Sequence, residues 1–146
     1  MGGAGALRYA LAHQRLFGHA LVLSPAVYTP LPPADSSVRE FGAFGVGEKV
    51  FDGATYERLN YPALLPTLNE DLPTRLYLAV GDDEWPNPDP ADARHDLDYE
   101  TATAYNAARR APGVEAELRI TDGGHDWKVW RPAFVDGLRH LAPTLR

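Results

Sequence analysis

The 146-residue chain contains no cysteine, which excludes disulfides, thiolate-bound zinc and a cysteine nucleophile. No apolar run approaches the roughly 20 residues that cross a bilayer, so membrane association is not expected. Met1 is not followed by the charged-then-apolar leader of a secretory signal. That favours the cytoplasm for these residues, and leaves export open if other residues precede Met1. Basic residues are outnumbered, 14 Lys and Arg against 20 Asp and Glu, giving a formal charge of −6. Nucleic-acid binders carry the opposite footprint, so the charge argues against that class of partner as well. No internal repeat is visible. Hydrophobic residues at 45 % and charged residues at 23 % are the proportions of one ordinary globular domain spanning 1–146.

The run from Gly5 to Leu16 is alanine-rich, with leucines at 7, 11 and 16, and predicts a helix that is apolar on most sides. Gly2, Gly3 and Gly5 would let its start approach a sheet closely. The stretch His19 to Tyr28, "HALVLSPAVY", predicts a strand buried on both faces. Residues 29–73 are broken by proline and glycine and predict a long excursion with one or two short helices. "RLYLAV", Arg75 to Val80, predicts a second buried strand. A helix is expected from Asp92, its cap, to Ala111, with Pro112-Gly113 as the stop. "VEAELRI" alternates, with Ala116, Leu118 and Ile120 on one face, and predicts a half-exposed strand near a sheet edge. The final helix spaces Trp127, Trp130, Phe134, Leu138 and Leu141 three and four apart, a stripe expected to pack on the sheet before Pro143 ends the helix. Helices alternating with strands in this order imply an α/β layered fold with a mostly parallel sheet.

Ligands of open parallel sheets bind outside the carboxyl ends of the strands. Two polar clusters fall there: "GDDEW" after the second strand and "TDGGHDWKVW" after the third. A carboxylate and a histidine presented by adjacent strand ends are two members of a Ser-His-acid triad. The third would be a serine on a strand-to-helix turn of the form G-x-S-x-G. None of Ser24, Ser36 and Ser37 has such a turn around it. The acidic stretch from Asp82 to Asp98 lacks the alternating ligands of a calcium loop. His95 with Asp96 reads as surface, no H-E-x-x-H spacing exists, and His13, His19 and His140 have no evident partner. Trp127 and Trp130 read as core, while Trp85 could line a cleft.

Three glycines in the first five residues, ahead of a helix, fit the segment that directly follows an elbow serine. With "LVLSPAVY", "LYLAVGDDEW" and "GGHDWKVWRPAF" in order, the chain resembles the C-terminal half of an α/β-hydrolase of the putative-esterase family. That family includes enterochelin esterases, feruloyl esterases, S-formylglutathione hydrolases and mycolyltransferases. The resemblance implies a C-terminal portion of the α/β-hydrolase fold, with the N-terminal strands and the nucleophile strand lying outside these residues. It implies His125 as general base and acid, and an acid three residues after the strand-end glycine, Glu84, with Asp83 as the alternative. Met1 takes the position whose backbone N–H serves the oxyanion hole. No metal or organic cofactor is implied, and the partner is a small-molecule ester. The expected parent activity is carboxylic-ester hydrolysis, with acyl transfer or a non-catalytic α/β binding module as alternatives. Without the serine the chain alone is expected to be inactive, and its uncovered strand edge prone to self-association.

Overall fold

The computed structural model of the chain describes residues 1–145. Three strands, β1 (His19–Leu23), β2 (Thr74–Gly81) and β3 (Val114–Thr121), form one parallel sheet in the order β1-β2-β3. Six helices accompany them: α1 (Gly2–Ala12), α2 (Val38–Phe41), α3 (Gly53–Leu59), α4 (Tyr61–Leu64), α5 (Leu97–Ala108) and α6 (Trp127–Leu141). The register pairs Leu23 with Ala79 and Gly81 with Thr121, so all three strands end on the same side. Among the described residues, no helix is long and apolar enough to cross a membrane.

β2 lies in the middle and is buried along nearly its whole length, as its continuous apolar run requires. On one face of the sheet Leu76 and Leu78 meet Leu7, Ala10 and Leu11 of α1 and Ala104 and Ala108 of α5. On the other, Tyr77 and Ala79 meet Ala133 and Leu141 of α6. The result is a three-layer α/β arrangement, as the alternation of elements implies.

Several boundaries differ from the sequence reading. α1 starts at Gly2 and stops at Ala12, so Leu16 lies outside it and is exposed. Of the early glycines only Gly3 serves close approach, because a Cβ there would overlap the Leu23 carbonyl. β1 stops at Leu23 and is buried on one face only: Ala20 and Val22 are covered by α1, while Leu21 and Leu23 are half-buried under α6. β3 is the expected edge strand, and Ile120 is exposed near its end. The helix expected from Asp92 is a 3-10 turn, Pro90–His95, followed by α5 with Asp96 as its cap residue. The Asn87 N–H and Nδ2 both donate to Asp96 Oδ1, at 2.8 and 2.9 Å, and fix that extended residue ahead of the helix.

α6 turns a different face to the sheet from the one its large residues suggest. Val129, Ala133, Gly137 and Leu141 are buried, whereas Trp127, Phe134 and Leu138 are exposed. The small residues win because they admit Tyr77: a Cβ on Gly137 would meet the Tyr77 ring at 2.7 Å.

The excursion holds three short α-helices, more than expected, and a 3-10 turn. It is tied to α5 through Glu100, which is 1 % exposed. The Thr29 N–H and hydroxyl donate to its two oxygens, both at 3.1 Å, and His95 Nδ1 lies 3.1 Å from Oε1. His95 is therefore a largely buried partner and not the surface residue expected. Desolvation by burial pushes the Glu100 carboxyl above its usual range. Stability contributed by a raised carboxyl is full below its unfolded pKa, about 4.3, and declines as pH rises through the folded value. Glu100→Gln keeps an acceptor for Thr29 N–H and His95 and offers an N–H to the Thr29 oxygen. It should stay within about 1 kcal/mol of wild type at pH 7 and lose that decline, while Glu100→Ala costs about 3 kcal/mol by stranding the donors. Urea midpoints between pH 4 and 8 check this. A glutamine variant that tracks the wild-type profile would contradict it.

Candidate active site

The site forms where the ends of β2 and β3 are stitched together. The Asp82 N–H donates to the Thr121 carbonyl at 3.0 Å and the Asp83 N–H to the Gly123 carbonyl at 3.1 Å. The Gly123 N–H answers with a 3.0 Å bond to Asp82 Oδ1. Gly81 permits the approach, since a Cβ on it would overlap the Gly123 carbonyl. Gly123, at φ 137°, adopts a backbone that side-chain-bearing residues avoid.

Within this junction the chain folds back so that Glu84 points inward, only 2 % exposed. Its Oε1 accepts from the Gly81 N–H at 2.8 Å and from the Ser24 hydroxyl at 2.6 Å. Its Oε2 lies 2.6 Å from His125 Nδ1. An ionised carboxylate only accepts, and against one the histidine proton belongs on Nδ1, which leaves the Nε2 lone pair free. Three hydrogen bonds offset the cost of burying the Glu84 charge.

The imidazole is boxed by aromatics. Trp85 stacks on it with centroids 4.3 Å apart, and Trp130 meets it edge-on at 4.7 Å and 89°. Trp85 is exposed and sits at φ 53°, a left-handed conformation unusual for a bulky residue. Trp127 is likewise exposed, so it is not the core residue expected, and it packs edge-on against Trp130. Met1, Gly2, Gly3, Leu21, Leu23, Ser24, His125, Trp127, Trp130 and Phe134 line an open cleft of about 450 Å³. Met1, exposed and at the cap position of α1, therefore borders the same space as His125.

Of the two acids proposed from sequence, Glu84 meets the histidine and Asp83 does not. Asp83 is exposed and gathers with Asp82 and Asp122, ligand atoms within 4.8 Å of one another. Those carboxylates are all open to solvent, and Asp82 is already engaged by Gly123. The other histidines have structural neighbours: His19 Nε2 lies 2.9 Å from Thr144 Oγ1, His13 stacks on Tyr9, and His140 tilts against Tyr77. Two residues take places at the site that the sequence reading did not assign them. Ser24 is 2 % exposed and bonded to Glu84, and the Trp130 Nε1–H donates to its Oγ at 2.8 Å. Their signal was positional. Ser24 follows directly on the end of β1, beside the strand whose end bears Glu84.

A family model described as "Putative esterase" matches residues 1–141. Among solved structures, a ferulic acid esterase superposes with a TM-score of 0.65 and 24 % identity, over 97 % of this chain and 48 % of that one. The fluorophosphonate-binding serine hydrolase FphF of Staphylococcus aureus, solved with substrate bound, superposes with a TM-score of 0.54 and 18 % identity, over 96 % of this chain and 50 % of that one. At such identities the likeness establishes the α/β-hydrolase fold, and the chain spans about half the length of both structures. The comparison with curated proteins gives no match.

Proposed function

The chain belongs to the Putative esterase family, and from that premise we propose that it forms the acid–base half of a serine carboxylic-ester hydrolase. In this reading His125 Nε2 takes the proton of a serine hydroxyl as it attacks the ester carbonyl, and returns it to the leaving alcohol. Water then enters by the same route and releases the acid. Glu84 holds the imidazole with its proton on Nδ1 and stabilises the imidazolium. The nucleophile is a serine outside these 146 residues, carried on a strand beside β1, since Ser24 is buried and already bonded and Ser36 and Ser37 lie in the excursion. Met1 follows that serine, and its nitrogen, then a peptide N–H, donates to the oxyanion.

The observation that carries the reading is the 2.6 Å contact between His125 Nδ1 and a Glu84 buried with two further donors. A solvated turn histidine needs no such support. The 146 residues alone are expected to leave p-nitrophenyl butyrate unhydrolysed above background. The product that continues in frame upstream of Met1 through a Gly-x-Ser codon run is expected to hydrolyse it, with loss of activity in His125→Ala. Equal turnover by the short chain and its His125→Ala variant, above that of buffer, would count against the proposal.

A further inference from the structure

We infer that Ser24, with Trp130 behind it, is a positioning residue that holds the Glu84 carboxylate against His125 and thereby keeps the imidazole proton on Nδ1. The inference rests on the esterase reading of the site and adds to it a role for two residues outside the triad.

The direction of each hydrogen bond is dictated by chemistry. An indole nitrogen can only donate, so the Trp130 Nε1–H occupies a lone pair of Ser24 Oγ at 2.8 Å. The serine proton is then left to point at Glu84 Oε1, 2.6 Å away. Oε1 also receives the Gly81 N–H at 2.8 Å. With two donors on one oxygen, the carboxylate is held with Oε2 toward His125 Nδ1 at 2.6 Å. The order of donation runs from the indole through the hydroxyl to the carboxylate. The carboxylate held there accepts from Nδ1–H and keeps His125 in the form in which Nε2 can act as a base.

The backbone supports the assignment. Ser24 adopts φ 45°, a left-handed conformation that costs a non-glycine residue energy and is often retained where a side chain must be held in place. A glycine would fit this backbone more easily but would bring no hydroxyl. Ser24 is also held by its own N–H, which donates to the Ala79 carbonyl at 2.7 Å and prolongs the β1–β2 ladder to the level of the acid.

The test is the tautomer of His125, read by ¹⁵N shifts and long-range proton couplings in the full-length protein labelled at histidine. The wild type should show neutral His125 with its proton on Nδ1. Ser24→Gly removes the hydroxyl while relieving the backbone. The carboxylate is then held by the Gly81 N–H alone and can turn from the imidazole, so the Nε2–H form should appear beside Nδ1–H, with the rest of the amide spectrum retained. Trp130→Phe leaves the Ser24 backbone alone and frees the hydroxyl to turn from Oε1, so it should move the pattern the same way to a smaller extent. Should Ser24→Gly fail to fold, the Trp130 variant decides. A pure Nδ1–H pattern in every folded variant overturns the role of Ser24 and leaves the esterase reading standing. A wild type with its proton on Nε2 overturns the esterase reading itself.

Discussion

Replacing Glu84 with glutamine is expected to lower kcat for a p-nitrophenyl ester about 10³- to 10⁴-fold with KM little changed, the scale seen when a triad acid becomes its amide. The reason lies in the donors around the carboxylate. The Gly81 N–H and the Ser24 hydroxyl both require an acceptor at Oε1, so the amide oxygen of a glutamine must settle there. Its NH₂ group then faces His125 Nδ1 and can only donate. His125 is driven to accept at Nδ1 and to carry its proton on Nε2, where a base is needed. The imidazolium also loses its counter-charge. Asp83→Asn is the control: Asp83 is exposed and lies apart from the histidine's hydrogen bond, so its kcat should stay within about twofold of wild type, a surface substitution with no bonded partner to lose. Kinetics on the serine-containing protein decide between the acids. A fall in Asp83→Asn together with near-normal turnover in Glu84→Gln would reverse the assignment.

Much of this was legible in the residues. The continuous apolar run of β2 and the strict alternation of β3 marked a buried and an edge strand, and the polar clusters after them lie at the candidate site. Between Asp83 and Glu84 the residues favoured Glu84 only through the spacing that the resemblance implies; what sets the two apart physically is which carboxylate the chain buries when it folds back at Gly81. The face of α6 was misread for a related reason. A pattern of large apolar residues weighs hydrophobicity, whereas the contact with β2 was decided by room: Gly137 and Ala133 let the helix reach Tyr77, leaving Trp127 and Phe134 at the cleft. Ser24 carried no motif, only a place at the end of β1. Its bond to Glu84 spans 60 residues, a separation no local pattern reports.

Gly81→Ala is expected to cost about 3 kcal/mol of folding stability. An alanine Cβ would overlap the Gly123 carbonyl, a backbone atom that no rotamer change can move aside. That carbonyl accepts the Asp83 N–H, and Gly123 is bonded in turn to Asp82, so relief by moving one loop breaks bonds that join both. The new methyl would also sit 3.2 Å from Glu84 Cγ, and the Gly81 N–H is one of the donors fixing Glu84 Oε1. Stability and chemistry should therefore fail together: a lower urea midpoint and a fall in kcat at temperatures where the variant is still folded. Gly2→Ala is the matched control, because nothing lies within 4 Å of its added methyl and alanine favours the helix it begins. Its midpoint should be equal to or above that of wild type. A Gly81→Ala midpoint as high as that of Gly2→Ala would mean that the β2 and β3 ends are not held as closely as the Glu84–His125 geometry requires.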